Sequence, residues 1–194
     1  MKKIGLFFGS FNPIHIGHLI LSNYILENTD MDELWLVVSP QNPLKKKTSL
    51  LGEYIRLEMV NLAIQQYPEM KASDIEFHLP KPSYTIDTLA YLREKYPNYA
   101  FCLIMGEDNL ASLPKWKNFE KLIAQHEIIV YPRVFREKKD LSHYLQHPNI
   151  HFIDAPCIEL SATEIRNMIR DGKNTRPMLP PEVFEYLEGS NFYR

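Results

Sequence analysis

The chain is short of cysteine, shows no excess of either charge and carries no long apolar run, and each shortage removes a class of protein. Two cysteines among 194 residues, Cys102 and Cys157, cannot build a disulfide framework, and Cys102 lies in an apolar run where a free thiol behaves as a small hydrophobe. That usage suits a reducing compartment, so the cytoplasm is the expected location. The 22 basic and 24 acidic side chains leave a formal charge of −2, without the basic surplus that a nucleic-acid coat or an anionic-membrane binder carries. Neither a nucleic-acid nor a membrane partner is expected. The clearest apolar runs, residues 34–38 and 101–105, stop far short of the roughly 20 residues that a bilayer span needs. Met1-Lys2-Lys3 leads into Ile4-Gly5-Leu6-Phe7-Phe8, but polar residues interrupt at once and no small-residue cleavage site follows, so the segment reads as a first strand. The Walker A loop G-x-x-x-x-G-K-[ST] and the dinucleotide fingerprint G-x-G-x-x-G are both missing.

What is present is an ordinary globular mixture, 45% hydrophobic and 24% charged, ample for a sizeable core. The length suits one domain with a small appendage. Strand-like runs recur at residues 3–8, 34–39, 74–79, 99–105, 127–131 and 150–154. Helical spacing separates most of them: His18, Leu19, Leu21, Ile25 and Leu26 make one face, Ile55, Met59, Leu62, Ala63 and Gln66 a second, and Ile86, Leu89, Ala90, Tyr91 and Leu92 a third. Alternating strands and helices imply an α/β fold, a Rossmann-like parallel sheet wrapped by helices. The C-terminal part differs. Ser161-Ala162-Thr163-Glu164 has the S-x-x-E form of a capping box, Gly172 can end that helix, and Pro180-Pro181 opens a last short one. The expected organisation is a single domain over 1–194, with a core of about 1–160 and a helical appendage of about 161–190.

In an open parallel sheet, ligands bind beyond the carboxyl ends of the strands, so the exit of the first strand is the first place to look. It reads Gly9-Ser10-Phe11-Asn12-Pro13-Ile14-His15-Ile16-Gly17-His18. Gly9 permits close backbone approach, Pro13 stiffens the turn, and His15 and His18 bracket the start of a helix whose unpaired N–H groups suit phosphate. Loop histidines can also simply cap a helix, but the pair arrives together with Gly9, Ser10, Pro13 and Gly17. H-x-x-H alone has little force as a zinc spacing, so a phosphate site is the stronger reading.

This stretch resembles the H-x-G-H signature of the nucleotidyltransferases that transfer AMP from ATP, and Leu160-Ser161-Ala162-Thr163-Glu164-Ile165-Arg166 resembles their second signature, I-S-S-T-x-I-R. Pro82-Ser83-Tyr84-Thr85-Ile86-Asp87-Thr88-Leu89, Met105-Gly106-Glu107-Asp108-Asn109-Leu110 and Ser112-Leu113-Pro114-Lys115-Trp116 are similar to the bacterial nicotinate mononucleotide adenylyltransferases. The matches run in order from about residue 4 to 170. Departures from the family pattern are Leu44 for a histidine, Ala162 for a second serine, Lys117 for a frequent aromatic and Arg133-Val134 for R-P-G.

The resemblance implies transfer of AMP from ATP to nicotinate mononucleotide, giving deamido-NAD and pyrophosphate, with Mg²⁺ held mainly by phosphates and water. It implies His15, His18 and Arg166 as the catalytic set, and Gly9, Ser10, Phe11, Gly106, Asp108, Ser161, Thr163 and Arg166 against ATP. Asn12, Lys45, Tyr84, Thr85, Trp116 and Arg133 would meet the mononucleotide, with Trp116 stacked on the pyridine and Thr85 near its carboxylate. Bland roles stand beside these: Ser161 as a helix cap, Asp108 as a turn cap, Trp116 as core, and Lys45-Lys46-Lys47 as solvated surface. Nicotinamide mononucleotide or phosphopantetheine as the acceptor, or a nucleotide-binding regulator without catalysis, are the rival readings.

Overall fold

Residues of successive strands are apolar on both faces, and the structure, a computed structural model that describes residues 1–40, 50–134 and 140–194, uses both. The strands are β1 (Lys2–Gly9), β2 (Glu33–Val38), β3 (Met70–Ser73), β4 (Tyr99–Gly106), β5 (Ile128–Tyr131) and β6 (Ile150–Phe152). All pair in parallel in the order β3-β2-β1-β4-β5-β6, with Ile4 opposite Glu33 and Phe101. This is the expected Rossmann-like α/β sheet. The described helices are α1 (Ile16–Asn28), α2 (Glu53–Ile64), α3 (Thr85–Lys95), α4 (Glu107–Ser112), α5 (Phe119–Gln125), α6 (Ala162–Arg170) and α7 (Pro181–Glu188).

Side chains of alternate parity feed two cores. Phe7, Leu36, Cys102, Ile104 and Ile129 pack with Leu21, Ile25, Met59, Val60, Ile165, Val183 and Leu187 from α1, α2, α6 and α7. Leu6, Val37, Leu103, Met105 and Val130 pack on the other face with Leu89, Leu92, Leu110 and Leu122 from α3, α4 and α5. Each fully buried leucine contributes about 1.5–3 kcal/mol, so the sheet is anchored from both sides. The C-terminal helices thus share the first core with α1 and α2. Helix α6 starts at the Ser161 cap, whose Oγ accepts from the Glu164 N–H at 3.1 Å. It ends in a Schellman turn: Lys173 N donates to Met168 O and Gly172 N to Ile169 O, with Gly172 at φ +65°.

Two sequence expectations need correction. The strand placed at 74–79 is not one: the edge strand is Met70–Ser73, and Ile75–His78 is a 3₁₀ turn. The alternation of Ile75, Phe77 and Leu79 imitates a strand, but the turn splits Ile75 and Phe77 between the two cores and buries Glu76. The apolar face of α2 is also rotated, because the buried positions are Arg56, Met59, Val60, Ala63 and Ile64.

Candidate active site

Strand order reverses direction about β1 and β4, and a crevice outside their carboxyl ends is where such sheets bind ligands. A cavity of about 780 Å³ opens there, and its lining includes Gly9, Ser10, Phe11, Asn12, His15 and His18 from the β1 exit. The α6 cap Ser161, Thr163 and Arg166 of α6, Asp108, Trp116, Arg133, Tyr84 and Thr85 line the same cavity. Lys45 lies outside the described residues. Gly106 stands behind the lining, since a Cβ there would run into the Asp108 carboxylate and meet Arg133 Cγ at 2.9 Å. Gly9 has a comparable reason to be glycine, because an added Cβ would meet the Phe11 ring at 2.7–2.9 Å. Phe11 takes φ +43° and turns its ring back into the core, edge-on to His18 with centroids 5.1 Å apart.

The two histidines form one unit. Their rings stack at 3.7 Å, and the His15 N–H donates to His18 Nδ1 at 3.2 Å across the start of α1. An accepting Nδ1 leaves the proton of a neutral His18 ring on Nε2, where it is a donor. Burial, then His15 and Arg133, hold His18 well below its ordinary pKa, and burial with Arg133 brings His15 down to about 4. In the ligand-free protein both rings are therefore neutral donors at pH 7. Gly17 keeps this stack tight, since a Cβ would sit 3.1 Å from His15 Nδ1.

The His15 shift has a stability consequence. The unfolded chain takes up this proton near pH 6.5 and the folded chain only near 4, so the contribution is complete above 6.5 and is lost as pH falls through that window. A pKa held about two and a half pH units down corresponds to about 3 kcal/mol. Urea unfolding of the ligand-free protein at pH 7 and pH 4 should show a smaller loss in His15→Gln than in wild type, because His18 still contributes its own share. Equal losses in the two proteins would contradict it.

Positive charge comes from elsewhere. Arg166 donates to the Asn12 carbonyl at 2.8 Å and to Thr163 Oγ1 at 3.1 Å, tying α6 to the turn after β1. Among the described residues the lining carries Arg133, Arg166, Lys115 and Lys117 against Asp108 and Glu76. The N-terminal turns of α1, α3 and α6 face the same space, each with unpaired N–H groups. At α3, Asp87 and Thr88 donate to the Tyr84 carbonyl, which leaves the N–H groups of Thr85 and Ile86 with no carbonyl behind them. The Trp116 indole N–H is buried without a partner among the described residues. Asn12 is committed to the scaffold: its Oδ1 accepts from Tyr193 Oη at 2.6 Å and from Leu51 N at 3.2 Å.

Three lining or adjoining residues escaped the sequence reading. Glu76, only 3% exposed, accepts from Thr88 Oγ1 at 3.0 Å, and burial pushes its carboxyl up against the hydroxyls of Ser39 and Thr88. Its neighbour Ser39, the first residue after β2, lines the cavity. Arg56 is completely buried beneath the turn. The available signal was an arginine at i of an i, i+3, i+4, i+7 apolar stripe with Met59, Val60 and Ala63. Among the described residues no three His, Cys, Asp or Glu side chains converge as a metal site. Asp108 can offer one carboxylate oxygen, which fits a Mg²⁺ that takes one or two carboxylates and otherwise phosphate and water. No helix among the described residues is long and apolar enough to cross a membrane.

Comparison with known proteins gives one family. The cytidylyltransferase-like family matches residues 6–168. A "probable nicotinate-nucleotide adenylyltransferase" of Flavobacterium psychrophilum is 56% identical over 99% of both chains, and that of Flavobacterium johnsoniae is 55% identical over the same shares. The solved nicotinic acid mononucleotide adenylyltransferase of Plasmodium falciparum, complexed with NaAD, superposes with a TM-score of 0.82 at 25% identity, covering 100% of this chain and 98% of that one.

Proposed function

The chain belongs to the nicotinate-nucleotide adenylyltransferase family, within the cytidylyltransferase-like proteins, and from that premise we propose how its cavity transfers AMP from ATP to nicotinate mononucleotide. A 5′-phosphate oxygen of the mononucleotide attacks the α-phosphorus in line, the new P–O bond forms, the bond to the β-phosphate breaks, and pyrophosphate leaves with deamido-NAD as the product. The nucleophile is already an anion, so no general base is needed. The work is to hold two anions together and to stabilise the charge that builds at the α-phosphate.

The observation that carries this assignment of roles is the convergence of the His15–His18 stack, Arg166 and three helix N-termini on one cavity of about 780 Å³. His18, with its Nε2 proton, and His15 donate to the α-phosphate. Arg166, with Ser161 and the first N–H groups of α6, takes the β- and γ-phosphates and the departing pyrophosphate. Capping and phosphate binding are compatible at Ser161, whose Oγ accepts the cap bond and whose proton remains to donate. Asp108 faces the ribose. Trp116 stacks on the pyridine, and the Thr85 and Ile86 N–H groups receive its carboxylate through charge-assisted bonds of roughly 1.5–3 kcal/mol each. Arg133, 3.7 Å from Asp108 and electrostatically coupled to both histidines, adds charge at the acceptor phosphate. Mg²⁺ held mainly by the phosphates and water would neutralise part of the triphosphate charge.

The proposal includes one working domain over residues 1–194 and a cytoplasmic setting, supported by the shared core of the C-terminal helices and by two unpaired cysteines. Purified protein with ATP and Mg²⁺ should release pyrophosphate with nicotinate mononucleotide, and far more slowly with nicotinamide mononucleotide or phosphopantetheine. No release with the acid acceptor would overturn the reading.

A further inference from the structure

Arg56 lies on α2 with its side chain pointing into the protein beneath the turn that follows β1, and none of its surface reaches solvent. Its Nη1 donates to the Ser10 carbonyl at 2.5 Å and to the Ser39 carbonyl at 2.9 Å, its Nη2 to the Pro40 carbonyl at 3.2 Å, and its Nε to the Leu51 carbonyl at 2.9 Å. Among the described residues no carboxylate binds it, because the nearby Glu53 is paired with Lys81 at 2.7 Å. A guanidinium stays charged even where burial lowers its pKa, so a full positive charge is solvated here by carbonyl dipoles and is not neutralised.

The four carbonyls belong to the exits of β1 and β2 and to the approach to α2. Where chains leave a sheet their carbonyls lose ladder partners, and buried ones need donors. A rigid fork with five N–H groups can meet several at once, whereas an ammonium group cannot match that geometry. Two residues beyond Ser10, the Asn12 carbonyl is held by Arg166. The Ser10–Asn12 turn is thus fastened from below by one guanidinium and from the side by another, and Ser39 N–H adds a bond to Gly9 O at 2.9 Å.

We propose that Arg56 is a positioning residue for the phosphate-binding turn: it fixes Ser10 to Asn12 by bonding to their scaffold and keeps an unneutralised positive charge under the site. The inference rests on the adenylyl-transfer reading for its kinetic part and on anion binding alone for the rest.

The test uses the full chain as Arg56→Lys, which keeps the charge and loses the fork, and Arg56→Met, which loses both. Fold is checked by circular dichroism and thermal unfolding, inorganic pyrophosphate binding by calorimetry, and kcat and KM for each substrate by pyrophosphate release. Folded Arg56→Lys should bind pyrophosphate about 10-fold more weakly and turn over about 10–100-fold more slowly, with the KM for nicotinate mononucleotide unchanged, and Arg56→Met should lose more. Wild-type pyrophosphate affinity in folded Arg56→Lys would overturn the proposal. So would losses that merely track the folded fraction, or failure of both variants to fold. A wild-type protein that binds pyrophosphate but releases none from its substrates would overturn the proposed function and leave the Arg56 comparison standing.

Discussion

Replacing His18 with alanine is expected to cut kcat by about 10²–10³, the range for losing one preorganised donor to developing charge, while the sheet stays folded. The donor argument rests on tautomer and environment together. His18 Nδ1 is occupied by the His15 N–H, the ring is neutral through burial, and its remaining N–H belongs to Nε2. A neutral donor costs nothing in charge repulsion with Arg133 and needs no proton from solvent, so kcat/KM, which reports the free enzyme, should not follow a histidine titration near pH 6.5. The variant leaves the His15 N–H without its acceptor, a loss of about 1–2 kcal/mol out of the 5–15 typical of a domain. Saturating kinetics with both substrates, beside a thermal melt, separate the two effects. Turnover close to wild type in a folded variant would remove His18 from the α-phosphate.

Arg166→Met should lower kcat/KM for ATP by about 10²–10³ and leave the KM for nicotinate mononucleotide near its starting value. The guanidinium is the only cation lining the cavity, among the described residues, that is bonded to the turn after β1, and it bridges Asn12 O and Thr163 Oγ1. Removing it takes away both a charge on the leaving pyrophosphate and the tie between α6 and the turn. Arg166→Lys should recover only part of the loss, because one ammonium cannot span two acceptors and still face phosphate as a planar fork does. A defect confined to the mononucleotide's KM would contradict the role.

Much of this arrangement was legible in the order of residues. The H-x-G-H stretch, the capped start of α6 and the Pro82–Leu89 and Met105–Trp116 segments are local patterns, and a local pattern survives without knowledge of the fold. The failures came where neighbours in space, not in sequence, set the outcome. Residues 75–79 alternate like a strand, yet β3 is an edge that ends at Ser73, after which the chain turns over β2 and carries Glu76 inward. Arg56 drew no attention in the sequence, because nothing in α2 itself reveals the four carbonyls that its guanidinium meets. At Gly9, which lines the cavity as the sequence suggested, the structure adds a second reason for glycine, since Phe11 folds back over it.

The amino-acid order alone determined the alternating architecture, the exits where phosphate donors would cluster and the family, because strand and helix periods, caps and turns are written in contiguous residues. Only the tertiary structure decided how the charged and titratable groups are buried and paired. It lowered the pKa of both imidazoles by burial, left the guanidinium of Arg166 as the bridge between distant segments, and set Arg56 beneath the turn. Charge state and pairing depend on water exclusion and on partners up to 181 positions away, and those exist only once the sheet has formed.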